Sequence, residues 1–261
     1  MAVITLTTDF GRRDHYVASM KGVILQIDPA AVIVDISHEI TPQQVTEAAF
    51  VLRSVWPAFG EGTIHVVVVD PQVGTDRRIL AARYDGRIVL VPDNGAISLV
   101  HRDCRLQELY LVQNHQLFVQ PVSATFHGRD IFAPVAAHLS RGLPLVNVGP
   151  PTNRLELLNL PAAQASAADG LVGQVVYIDR FGNLVTNISR GQLAHTGQGH
   201  NGPRVWIDQR DLGPIRSSYA SVARGEALAL IGSADLLEVA VNQGSAAEHL
   251  GARVGTTVQV K

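Results

Sequence analysis

Through the first half of the chain, short apolar runs alternate with stretches of helical spacing. Residues 3–8 predict a strand that ends at Asp9; Gly11 opens the next loop, and Asp14 is placed to cap a helix. Val17, Met20, Ile24 and Ile27 recur at helical spacing, and Pro29 stops that helix. Residues 31–36 (AVIVDI) predict a second, largely buried strand. Thr41-Pro42-Gln43-Gln44 then opens a helix, with Thr41 as cap, Pro42 at the first helical position and Gln44 completing a capping box. Val45, Ala48, Ala49, Leu52 and Trp56 line one face of it. Residues 63–69 (TIHVVVV) have the unbroken apolar character of a central parallel strand and end at Asp70-Pro71. Residues 79–84 and 87–91 flank the hairpin turn Asp85-Gly86, and residues 108–112 predict another strand. Residues 125–130 (TFHGRD) precede a helix that runs to Leu139 and is closed by Gly142. This alternation predicts an α/β domain with a mainly parallel sheet over residues 1–150.

The pattern changes after Gly149. Residues 151–170 contain prolines and then an Ala/Ser-rich stretch, which reads as a linker. Beyond it, short apolar runs at 171–178, 184–188, 204–208, 227–231, 237–241 and 254–260 are separated by Gly, Pro and Asn. They predict a smaller all-β domain over residues 171–261, a barrel or a sandwich.

Composition narrows the function. A chain of 261 residues suits one large domain or two modest ones. A formal net charge of -2 gives no electrostatic support for a nucleic-acid partner. No apolar run approaches the roughly 20 residues of a membrane span. The N-terminus shows no basic segment or cleavage site, and the one cysteine, Cys104, excludes an internal disulfide or a CxxC pair. A reduced, cytoplasmic protein is expected. None of the ten histidines sits in an HxH or HExxH array, so no metal is expected.

Candidate chemistry gathers at the strand ends, where open α/β sheets bind ligands. Asp9 and Asp70 stand there with Gly11 and Gly74 beside them, and glycine permits close backbone approach. Each acid could equally cap a turn. Asp35 reads as structural. Of Arg77 and Arg78, one could hold the Asp70 carboxylate, and at least one is expected on the solvated surface. His127 is either a packing residue or a proton acceptor and orienter near neutral pH, while Asp130 reads as the helix cap. In the β domain, Asp179-Arg180-Phe181-Gly182-Asn183 forms a turn. A phenylalanine there needs a partner such as a flat ring, and the Asn183 amide can donate to and accept from a purine edge. Glu238 could bind an ammonium group or lie on a solvated edge.

Taken together, ITLTTDFG (4–11), DHYVASMKGVI (14–24), IVDISHEITPQ (33–43), VVVVDPQVGTDRR (66–78), PDNGAISLV (92–100), TFHGRDIFAPVAAHL (125–139), YIDRFGNLVTNI (177–188) and LLEVAVNQGSAA (236–247) resemble the SAM hydroxide adenosyltransferases over nearly the whole chain. The resemblance implies hydrolysis of S-adenosyl-L-methionine (SAM) to adenosine and L-methionine by water or hydroxide attacking the ribose C5′, with no cofactor. It implies a homotrimer with sites between subunits. Asp70, Arg77 and His127 match the positions that handle the nucleophilic water. Asp9 resembles the residue that binds the ribose hydroxyls, with Asp14 and Tyr16 beside it. Phe181, Asn183 and Tyr219 resemble the adenine-binding positions. Ser233, Glu238 and Asn242 lie where the methionine end is held, with Asp179 as a further polar contact. The alternatives are a related SAM-dependent halogenase, a non-catalytic SAM or adenosine sensor, and a metal-dependent hydrolase. The halogenases carry an aromatic residue at the position of Asp70 and an extra loop that the stretch 92–108 lacks. Ala234 stands where a halogenase arginine meets the methionine group.

Overall fold

Residues 64–69 are apolar without interruption apart from His65, because successive side chains of this strand enter two different cores. Val66 and Val68 point into one and Val67 and Val69 into the other, all essentially buried. The structure, a computed structural model, describes residues 2–166, 170–194 and 202–261. The chain divides into two compact units, Met1–Leu158 and Asn159–Lys261.

The first unit runs β1 (Val3–Thr8), α1 (Tyr16–Ile27), β2 (Val32–Ser37), α2 (Val45–Val55), β3 (Ile64–Val68), β4 (Ile79–Tyr84), β5 (Arg87–Pro92), α3 (Ser98–Asp103), β6 (Leu106–Leu111) and α4 (Ala133–Ser140). Its six strands order as β2-β1-β3-β5-β4-β6. The β1–β2, β1–β3 and β3–β5 pairs are parallel, while β4 pairs antiparallel with β5 and β6. The sheet is therefore mixed, where the pattern predicted a mainly parallel one; the hairpin through Asp85 and Gly86 turns its far edge antiparallel. Met20 and Ile24 of α1 and Ala133, Ala136 and Ala137 of α4 cover one face; Ala48 and Leu52 of α2, Trp56 and Val100 cover the other. Because β1, β3 and β5 are adjacent and parallel, Asp9, Asp70 and Asp93 all leave the sheet at one edge.

Several local expectations are corrected. β2 is an edge strand of exposed and half-buried residues, Val32 being 46% exposed, because it pairs on one side only. Asp35 lies inside this strand, paired with Leu6, and accepts from Lys21 Nζ at 2.6 Å. Helix α1 begins behind His15 with no side-chain cap, and Asp14 is exposed. Helix α2 begins at Val45 rather than at Pro42. The Gln44 N–H closes a turn on the Thr41 carbonyl, and Gln43 takes a left-handed φ of 66°. The turn aims the Gln43 N–H at Asp9 Oδ2, 2.9 Å away, in place of a capping box. Asp130 is no cap: it sits inside a π turn, Gly128–Phe132, fully buried, bonded to Ser123 N–H and Arg129.

The stretch 151–170 contains ordered pairings where a linker was expected. Pro151 bridges Tyr110, and Leu157 bridges Gly95, within the first unit. In the second unit, β7 (Gln164–Ser166) pairs with β8 (Gly170–Ile178). The second unit continues with β9 (Leu184–Ser189), α5 (Arg190–Leu193), β10 (Arg204–Ile207), β11 (Arg210–Pro214), β12 (Ala227–Ile231), β13 (Leu236–Val241), α6 (Ala246–Leu250) and β14 (Thr257–Val260). Among the described residues its named strands pair antiparallel, in the order β11-β10-β14-β8-β9-β13-β12 with β7 beside β8, and one isolated bridge, Arg216–Leu230, is parallel. The Arg216 N–H donates to the Ala229 carbonyl at 2.7 Å, just past β11, so the sheet nearly closes into a barrel-like form. Two short helices qualify the all-β expectation. Ser189 and Gln192 form a capping box for α5, and Ser245 caps α6 through the Glu248 N–H.

Candidate active site

At the exit of β3 the chain turns at Asp70, whose carbonyl accepts from the Val73 N–H, and returns through Gly74 to Arg77. Gly74 holds φ at 81°, and a Cβ there would lie 2.4 Å from the Ala124 carbonyl oxygen. Only glycine fits that approach. The loop brings Arg77 back onto Asp70: Arg77 Nε donates to Asp70 Oδ2 at 2.7 Å, and Nη2 donates to the same oxygen. Both side chains are 4% exposed. Arg77 Nη2 also donates to His127 Nδ1 at 2.7 Å.

These three contacts define the chemistry. Arginine has no acceptor, so His127 Nδ1 must accept, and a neutral His127 carries its hydrogen on Nε2. Burial and the Arg77 charge both hold the His127 pKa below its ordinary value. Asp70 Oδ1 is buried, and no group among the described residues bonds to it. A buried carboxylate oxygen left unbonded is costly unless a ligand meets it.

Beside this set, Tyr16 packs edge-on against Phe126 at 5.0 Å and lies 5.6 Å from Phe10. That cluster holds Tyr16, 39% exposed, next to the segment carrying His127. Asp9 follows β1 at the same sheet edge, half-buried, with Oδ2 held by the Gln43 N–H. Of the two arginines, at least one of which was expected on the solvated surface, Arg77 is buried on Asp70 and Arg78 pairs with Asp93.

In the second unit, Asp179 organises the predicted turn. Its Oδ1 accepts from the Phe181 and Asn183 N–H groups at 2.8 and 2.9 Å, and its Oδ2 accepts from Asn183 Nδ2 at 2.8 Å. Both oxygens thus serve the turn. Phe181 is 77% exposed, its ring offered outward. With Asn183, Tyr219, Val241, Gln243 and Gly244 it lines a cleft of about 470 Å³. Glu238 is 9% exposed, and its carboxyl packs where a side chain on Gly232 would be. Burial, then the Asp179 charge, raise its pKa; burial followed by Glu238 and Asp179 raise that of Tyr219. Ser233 is exposed in the turn before β13. The Asn242 amide donates to the Val222 carbonyl at 2.9 Å, so one of its N–H groups serves the fold. Among the described residues, no group of three His, Cys, Asp or Glu side chains is arranged to hold a metal. No helix among them is long and apolar enough to cross a membrane.

The first unit thus brings an acid–arginine–histidine set to its strand ends, and the second offers an aromatic cleft. Comparison with known families makes this specific. Residues 4–149 match the SAM hydroxide adenosyltransferase N-terminal domain and residues 173–259 match its C-terminal domain. The chain belongs to the SAM hydroxide adenosyltransferase family. It is 38% identical to the (R)-S-adenosyl-L-methionine hydrolase of Thermus thermophilus over the full length of both chains. It is 35% identical to the protein of that name from Salinispora tropica, covering 98% of this chain and 97% of the relative. Fluorinases match at 28–30% identity. A crystal structure of an uncharacterized conserved protein from Thermotoga maritima superposes with a TM-score of 0.92 at 35% identity, covering 98% of this chain and 99% of the other.

Proposed function

We propose that this protein hydrolyses S-adenosyl-L-methionine to adenosine and L-methionine. Full-length relatives named for that reaction support the substrate. The observation that carries the chemistry is Arg77 clamped between Asp70 and His127, with Asp70 Oδ1 buried and unbonded.

In this reading a water oxygen attacks the ribose C5′, and the C5′–S bond breaks with its electron pair going to sulfur. The sulfonium leaves as a neutral thioether, so the leaving group needs no acid. The difficulty lies with the nucleophile, since bulk water has a pKa of about 15.7. Asp70 Oδ1 takes the hydrogen bond of the water and draws off its proton. Arg77 fixes the carboxylate and supplies positive charge beside the developing hydroxide. His127 donates from Nε2, since its Nδ1 is engaged by Arg77. Asp9, Asp14 and Tyr16 serve the ribose end. Phe181, Asn183 and Tyr219 take the adenine, Phe181 by stacking. Ser233 and Glu238 hold the methionine end, Glu238 facing its ammonium group, with Asp179 and Asn242 supporting through the turns they hold. The working assembly in this reading is a homotrimer, and no metal takes part.

Purified protein incubated with SAM and EDTA, with and without chloride, tests this by chromatography of the products. Equal amounts of adenosine and methionine are expected. A chloride-dependent 5′-chloro product would mark a halogenase, and loss of turnover in EDTA a metal enzyme. SAM binding without turnover would leave a sensor. Asp70→Ala should lower turnover by on the order of a hundredfold or more while SAM still binds.

A further inference from the structure

The motif PDNGAISLV stands out in the sequence, yet nothing in the reaction above uses it. Its residues Asp93 and Asn94 follow β5, the strand next to β3. Asn94 Nδ2 donates to the Val69 carbonyl at 2.9 Å, and Val69 is the residue immediately before Asp70. The Asp93 N–H donates to the Arg78 carbonyl at 3.0 Å, and the Asp93 side chain, 1% exposed, pairs with the Arg78 guanidinium. Arg78 is the residue immediately after Arg77. Two consecutive residues therefore grip the two ends of the loop that runs from Asp70 to Arg77.

The same motif is itself anchored. Asp93 Oδ1 accepts from the Glu156 N–H at 2.8 Å, Ser98 Oγ accepts from the Leu158 N–H at 2.8 Å, and Asn94 Oδ1 accepts from the Ala96 N–H at 3.2 Å. Gly95, at φ 95°, leaves room for Leu158, whose side chain and backbone would meet a Cβ at 2.7–3.0 Å. The grip is thus fastened to the rest of the first unit.

We propose that Asp93 and Asn94 are positioning residues that set the spacing of Asp70 and Arg77, and through Arg77 that of His127. The proposal rests on the reaction assigned above. Misplacing a reacting group by an ångström can cost about a hundredfold in rate. Because Asp70 and Arg77 handle water rather than the nucleoside, loosening the grip should spare substrate affinity.

Asn94→Asp is the discriminating variant. It keeps the acceptor for the Ala96 N–H and removes the donor to Val69. Its kcat should fall roughly tenfold to a hundredfold, with KM for SAM changed less than about threefold. Asp93→Asn, which keeps the acceptor for Glu156 but loses the charge on Arg78, should behave alike. In an Asp70→Ala background, Asn94→Asp should lower turnover no further, because both changes disable one unit. An additive loss, or a kcat equal to that of the unaltered protein, would overturn the proposal. The second readout is the Arg77 Nε–H resonance, assigned by its disappearance in Arg77→Lys. It should shift and exchange faster in Asn94→Asp while thermal unfolding shows a folded protein. An unmoved resonance overturns the grip. This readout decides the grip even if the unaltered protein turns over no SAM, an outcome that would sink the reaction but not the positioning.

Discussion

At the scale of single residues, the informative fact is which nitrogen of His127 is occupied. A histidine acting as general base presents a free lone pair to the water, and here Arg77 occupies Nδ1. A glutamine in its place can accept from Arg77 through Oε1 and donate through Nε2 without being basic. His127→Gln should therefore recover part of the turnover that His127→Ala loses, the latter by on the order of a hundredfold. Its kcat/KM profile should keep the acid limb of the unaltered protein. A Gln variant as inactive as Ala, or one whose acid limb vanishes, would return the proton to His127. The sign follows from the lowered pKa: His127 stays neutral to a lower pH than an ordinary histidine, so activity should extend further to the acid side. In the sequence, Asp70 and His127 stood out as candidates from their strand-exit and helix-entry contexts, each with a structural reading beside the chemical one, and Arg77 was set apart from Arg78 only by the family resemblance. The pairing of Arg78 was not legible, because its partner Asp93 is fifteen positions away across a strand pair. Asp179 poses a related difficulty. A carboxylate in a turn can serve backbone N–H groups or a ligand, and sequence does not show which claims it first.

At the scale of elements, the β3–β4 loop is set by backbone geometry. Gly74→Ala combines a left-handed φ with a clash against Ala124 and should destabilise the protein by about 1 kcal/mol or more. Turnover should fall with it, since the loop carries Arg77; an Ala variant of unchanged activity and denaturation midpoint would show the loop to be permissive. Strand β3 also carries a buried histidine. His65 is fully buried, accepts from or donates to Thr5 Oγ1 at 2.8 Å, and stacks on Trp56 at 4.7 Å. Burial, then the Arg87 charge, push its pKa down to about 4. The folded protein thus holds His65 neutral while the unfolded chain protonates it below about 6.5. Stability should fall as pH drops from about 6.5 to about 4, by on the order of 3 kcal/mol, then level off. Urea unfolding of the unaltered protein and of His65→Phe across that range measures it; parallel pH slopes would remove His65 as the cause. The long apolar runs and their order were readable because burial on two faces writes itself into composition. The start of α2 was not, because the left-handed Gln43 that overrides the capping box serves Asp9, thirty-four residues distant. The capping box at Ser189 and Gln192 was there to be read, but a helix of four residues leaves no periodicity to support it.

At the scale of the whole molecule, the proposed trimer predicts a sedimentation mass three times that of the 28.0 kDa chain. A monomer that still turns over SAM would remove the trimer from the mechanism. The mixed first sheet and the near-closed second one follow from connection lengths: short turns force antiparallel neighbours, and helical crossovers permit parallel ones. The spacing of the runs showed the hairpin at Asp85-Gly86 but predicted a mainly parallel sheet, which the antiparallel pairs of β4 correct. The pairings of β7 and β11 were not visible there, since both are short and poor in apolar residues. One consequence of the Asp179 turn extends to energetics. Three hydrogen bonds to a single carboxylate fix the loop around Phe181 before any nucleoside arrives. Conformational entropy is therefore surrendered during folding, not at the encounter. Such a preorganised platform predicts calorimetry with little ordering penalty when adenosine stacks on the ring. Asp179→Ala should transfer that penalty to the binding step, weakening affinity through entropy while the ring itself is untouched.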